Sequence, residues 1–176
     1  MITPEDIRQA EARTNFLHER IDEAFAVRDR SDDHWRHWEN ACSEFHAYKP
    51  TLFQLGEPAV LNDITAGSGP WRSAALLFLE LDPWFFRSGY LKGKVARALK
   101  RARLQPEEVD RINGILVAAV DSRTRQEFRE FCRLAVRTAT ARLVDDLGQR
   151  QTVADGAVRA RAAQMLSYIE RHSHAV

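Results

Sequence analysis

At 176 residues the chain has the length of one domain, enough to bury a core without disulfide or metal staples. Its 44% apolar and 29% charged residues are ordinary for a soluble globular protein. A net charge of +1 excludes a molecule drawn as a whole to DNA or to a membrane, so any such attraction must come from local charge asymmetry.

In chain order, "MITPEDIRQAEARTN" places acids where a signal peptide would carry a basic and then an apolar run. Thr3-Pro4-Glu5-Asp6 is a helix start: Thr3 caps, Pro4 suits the first helical position, and Asp6 closes a capping-box exchange. Ile7, Ala10, Thr14, Leu17, Ile21 and Ala24 follow at alternating three- and four-residue spacing. They predict a helix with one narrow apolar stripe. Ser31 or Asp32 caps a second helix with Trp35, Trp38, Cys42, Phe45 and Tyr48 on one side, and Pro50 stops it. Residues 50–70, with three prolines and three glycines, read as a connection around a short helix near 57–65.

"WRSAALLFLEL" is apolar nearly all round and predicts a helix buried on most sides. It is too short, and broken by Glu80, to span a bilayer, so no membrane association is expected. A helix over 91–103 turns Leu91, Val95, Leu99 and Ala102 inward. Gln105 and Glu108 open a further helix with Val109, Ile112, Leu116 and Val120 inside. Thr124 to Glu127 reads as a capping box, followed by Phe128, Phe131, Cys132, Ala135, Ala139 and Leu143 on one helix. Thr152 with Asp155 opens the last helix, which buries Val158, Ala162, Met165, Leu166 and Ile169. The expected fold is all-α: seven or eight mostly short helices in a single domain over 1–176, either a compact bundle or an irregular HEAT-like stack of helix pairs. Cys42 and Cys132, far apart on apolar positions, read as reduced thiols of a cytoplasmic protein.

The stretch "LDPWFFRSGYLKGKVARALKRARLQP" at 81–106 is the most unusual. Between Asp82 and Glu107 it holds no acid, while Arg87, Lys92, Lys94, Arg97, Lys100, Arg101 and Arg103 are basic. On a helix Lys94, Arg97 and Arg101 share an outward face. Such a face beside Trp84, Phe85, Phe86 and Tyr90 suits a protein partner, for which aromatic and arginine anchors carry most affinity. It also suits single-stranded nucleic acid, where phosphates need cations and bases need stacking partners. Against both stands packing: large aromatics after the Asp82-Pro83 corner fill the gap between two helices, and a basic helix is commonly a solvated face. The run Asp82 to Tyr90, with "QEFREFCRLA" at 126–135, resembles segments of uncharacterised bacterial all-helical proteins. The resemblance covers the middle third of the chain and brings no activity. It implies that the corner and the helix at 125–141 belong to one structural unit.

Metal chemistry has one candidate set, His34, His37, Cys42 and His46, in which Cys42 and His46 share a helix face at i, i+4. His34 and His37 are rotated away from that pair, and no second cysteine pair or H-E-x-x-H motif supports it. Nucleophilic catalysis lacks a G-x-S-x-G elbow, and "TAGSGP" at 65–70 lacks the lysine of a phosphate loop. Neither a catalytic residue nor a cofactor is expected. The sequence therefore favours a non-enzymatic protein-interaction module, an adaptor or toxin-neutralising protein, docking through Trp84, Arg87, Tyr90, Lys94, Arg97 and Arg101. A nucleic-acid module on the same face is the alternative, and a metal-dependent protein ranks behind both. The Trp35–Trp38 stripe is a candidate homodimer surface.

Overall fold

The computed structural model describes residues 2–122 and 126–173. Among the described residues the chain is all-helical, with nine α-helices and no strand. They are α1 (Pro4–Phe25), α2 (Asp32–Ala47), α3 (Pro58–Ala66), α4 (Trp71–Leu81), α5 (Ser88–Arg101), α6 (Pro106–Asp121), α7 (Phe128–Thr138), α8 (Ala141–Arg150) and α9 (Gly156–Ser173). Short 3-10 turns cover Arg28–Arg30 and Thr51–Gly56.

Local chemistry sets most of the boundaries. The Thr3 hydroxyl accepts from the Asp6 amide, and the Asp6 carboxylate accepts from the Thr3 amide at 2.8 Å. The Thr3 hydroxyl, donating to the Asp6 carboxylate at 2.7 Å, and then the Thr3 amide hold the Asp6 carboxyl below its ordinary pKa. Ser31 caps α2, and Gln105 with Glu108 forms the box that starts α6. One expected helix is two: at Ala139 the backbone turns extended (φ −55°, ψ 125°), and Thr140 caps α8 by accepting from the Leu143 amide. The expected capping box at Thr124 lies outside the described residues, apart from Gln126 and Glu127. Asp155, and not Thr152, accepts from the first amides of α9.

A continuous cluster of buried apolar residues runs from Ile2 to Ile169. Residues 50–70 belong to it, since Leu52, Leu55, Val60 and Ile64 are core positions. Helices α3, α5, α7 and α9 touch in succession, as do α4, α6 and α8, and α3 with α4, α6 with α7 and α8 with α9 join the two rows. These contacts build a compact all-helical fold. At the other extreme α2 rests on α1 and buries only Ala41 fully. Arg13 and Arg20 of α1 both reach Glu44 of α2 and tie the hairpin.

A buried arginine joins three segments. Arg72 of α4 donates through Nε to the Ile64 carbonyl at 2.8 Å, through one Nη to Thr65 at 2.8 Å and through the other to Arg103 at 3.0 Å. The guanidinium thus satisfies carbonyls that the end of α3 and the exit of α5 leave without intrahelical partners. Glu80, at the end of the apolar α4, is exposed and holds Arg111 by two bonds of 2.7 and 2.8 Å.

Candidate functional site: an aromatic corner on a buried ion cluster

The α4–α5 connection departs from what bulk and size predict. Of its three adjacent aromatics only Phe85 behaves as corner filling: it is 4% exposed and packs near Phe53 and Phe78, with ring centroids 5.7 and 6.5 Å away. Trp84 is 65% exposed and Phe86 47%, with Tyr90 at 56% on the first turn of α5. Phe86 lies over His18 of α1 at 4.6 Å and edge-on to Phe45 of α2 at 5.7 Å. The Arg87 guanidinium is 6.0 Å from the Phe86 ring and 5.7 Å from Tyr90, within range of cation–π attraction to both.

The backbone beneath them is fixed on every side. Asp82 (φ 45°) and Arg87 (φ 67°) both adopt the left-handed region, which costs a non-glycine residue on the order of 1–3 kcal/mol. Such a conformation persists only where surroundings over-determine it, and here they do. The Trp84 amide donates to Glu11 at 2.6 Å, and its carbonyl accepts from Asn15 at 2.8 Å, both from α1. The Phe85 amide donates to the buried Ser88 hydroxyl at 3.3 Å.

Under the corner sits Lys92, 0% exposed. Its ammonium lies 2.5 Å from an Asp82 oxygen and 3.8 Å from a Glu127 oxygen, and Glu127 is itself buried. Breaking such a buried pair from one side leaves an uncompensated charge, at a cost of about 3–5 kcal/mol. The cluster links the end of α4, the first turns of α5 and the start of α7. Gly89 is the glycine this link requires: a Cβ there would stand 2.7 Å from a Glu127 oxygen. Behind the cluster is a cavity of about 50 Å³ lined by Leu79, Asp82, Ile115, Glu127, Phe128 and Phe131. It has room for water and not for an organic substrate.

The six docking residues expected from the sequence divide between a groove and the rest of α5, where Tyr90, Lys94, Arg97 and Arg101 stand at i, i+4, i+7 and i+11 on one helix face. Trp84, Arg87 and Tyr90 line a groove to which α1 contributes a lip of His18, Glu19 and Asp22. Lys94, Arg97 and Arg101 lie along α5, whose 14 residues span about 21 Å. Two of these three are engaged: Lys94 donates to the Gly56 carbonyl at 3.3 Å, and Arg97 pairs with Glu130 of α7 at 3.3 Å. Arg101 is exposed.

Lys92 was missed as a site residue, although it stands on the inward stripe with Val95, Ala96 and Leu99 at helical spacing. That spacing was the available signal. His34, His37, Cys42 and His46 are not brought together: His34 Nδ1 is 2.7 Å from the Ser31 hydroxyl, His46 Nδ1 donates to the Cys42 carbonyl at 2.7 Å, and His37 points to solvent. Among the described residues no three His, Cys, Asp or Glu side chains are gathered as a metal would require. Trp35 and Trp38 meet edge-on at 5.2 Å on the hairpin, with Trp35 exposed. Among the described residues no helix is long and apolar enough to cross a membrane. No family model, curated protein or solved structure matches the chain.

Proposed function

We propose that the protein is a non-enzymatic, cytoplasmic binding module that docks a protein partner on the aromatic corner. One observation carries the proposal: Trp84, Phe86 and Tyr90 stand exposed beside Arg87 on backbone that buried ions and α1 hold in a strained shape. Trp, Tyr and Arg are the side chains that dominate protein interfaces, and rigid anchors lose little entropy on binding. The mixed rim favours protein over nucleic acid here. Glu19 and Asp22 line the same groove as Arg87, and a phosphate backbone would meet those two carboxylates. The partner segment that fits presents an apolar side chain to the ring shelf, an acidic group to Arg87 and a basic group to the α1 lip. Bridging or masking needs no more than such a surface, so the role is that of an adaptor or a toxin-neutralising protein. Two free cysteines, Cys42 and Cys132, support a reducing compartment.

The test is a nuclease-treated pull-down from the source cells, comparing wild type with Trp84→Ser/Tyr90→Ser and quantified by mass spectrometry. Both side chains are exposed, so the variant should melt with the wild type. A protein retained by wild type at stoichiometric level and lost from the variant is the expected result. The same proteins recovered by both would contradict the assignment.

A further inference from the structure

A second surface, unrelated to the corner, is built from side chains that the sequence pattern leaves scattered. Helices α5, α7 and α9 touch in that order, and where their ends meet they form a groove lined by Lys100, Arg129, Arg133, Arg137, Arg171 and His172. No carboxylate lines it. Arg133 is paired with Glu130 at 2.7 Å, whereas Lys100, Arg129 and Arg137 have no acidic partner among the described residues. A protein of net charge +1 has therefore collected five cations on one groove, with Glu130 beside Arg133 as the one acid paired to them among the described residues.

From this we infer a binding site for single-stranded nucleic acid along α7 and α9. Three features select that occupant over an acidic protein segment. Four of the five cations are arginines, whose planar fork grips phosphate oxygens in pairs. Arg129, Arg133 and Arg137 stand at i, i+4 and i+8, so they form one row with a step of about 6 Å. That step is of the order of the separation between successive phosphates of one extended strand, and a single row follows a single strand. In the same groove His172 lies parallel to Tyr168, 22° between planes and 6.1 Å between centroids, with Arg171 5.4 Å from the Tyr168 ring. The exposed face of the imidazole is a stacking platform for an unpaired base, which a duplex does not offer and an acidic peptide does not need.

Fluorescence anisotropy of the full chain with a labelled oligothymidylate, titrated across salt, tests the site. Wild type should bind with an affinity that falls steeply as salt rises. Each phosphate contact contributes about −0.7 to the log–log slope, so Arg129→Gln/Arg137→Gln should weaken binding roughly tenfold and flatten the slope by about 1.4. The pair Lys100→Gln/Arg171→Gln should do the same from the other two helices, which guards against one variant misfolding. Trp84→Ser/Tyr90→Ser should leave oligonucleotide binding unchanged, so this site and the aromatic corner fail separately. Absence of binding at low salt, a salt slope untouched by the arginine changes, or tighter binding of a duplex or of polyglutamate would overturn the inference.

Discussion

Lys92 and Arg72 are both cations kept from water, and they are kept there by opposite means. Arg72 is held by neutral acceptors, three backbone carbonyls at helix ends, with Glu108 at 3.4 Å as a lesser neighbour. Lys92 is held by two carboxylates, Asp82 and Glu127, from two different segments. The first arrangement completes hydrogen bonds that helix ends leave open and belongs to architecture alone. The second places charge inside the protein, beneath the segment that shows strained backbone and exposed aromatics together. Burying charge where an apolar side chain would fit is seldom the more stable choice, which points to the shape of the corner as what is maintained.

Replacing Lys92 costs the most. Lys92→Met should lose about 3–5 kcal/mol in urea denaturation, because Glu127 remains buried and charged. Lys92→Met/Glu127→Met should recover most of that loss, since the charge leaves with its partner. Arg72→Met should cost less, about 1–3 kcal/mol, and no second side-chain change should rescue it, because its partners are backbone carbonyls. A rescue at Arg72, or none at Lys92, would erase the distinction. Gly89→Ala should cost on the order of 1–3 kcal/mol by forcing Glu127 aside, with loss of partner binding beyond what stability explains. A neutral result in both measurements would remove Glu127 from the account.

The smallest effect is chemical. Burial pushes the Cys132 thiol on α7 up to about 12, so at pH 8 it is protonated and unreactive, while Cys42 is only half-buried. Iodoacetamide should label Cys42 first in wild type. Cys132 labelling should rise more in Lys92→Met than in Arg72→Met, because α7 carries the Glu127 end of the ion cluster. Equal labelling of the two thiols in the native wild type would contradict this.

Much of the helical order was legible because caps and stripes are local. Thr3 with Asp6, Ser31, and Gln105 with Glu108 announce their helices within four residues, and Ile7 to Leu17 face inward as their spacing requires. The break at Ala139 was hidden, because Ala135, Ala139 and Leu143 keep helical spacing straight through it. Size misled at the corner: of three adjacent aromatics Phe85 is buried, and nothing in their order distinguishes it from Trp84 and Phe86. Lys92 was visible on an apolar stripe, but its partner Glu127 lies 35 residues on and is found only by folding α7 against α5. The basic groove was out of reach for the same reason, since α9 brings Arg171 and His172 to a row that α7 begins.

Native-state hydrogen exchange by NMR shows whether the corner holds its shape before any partner arrives. Four amides report on it: Trp84 bonded to Glu11, Phe85 to Ser88, Ser88 to the Phe85 carbonyl and Tyr90 to the Arg87 carbonyl. In the free wild-type protein all four should be protected well above the unfolded rate, and Lys92→Met should lower their protection while leaving that of α3 unchanged. Exchange of these amides at the unfolded rate in the wild type would show a corner that no ion cluster pins, and the account would fall with it.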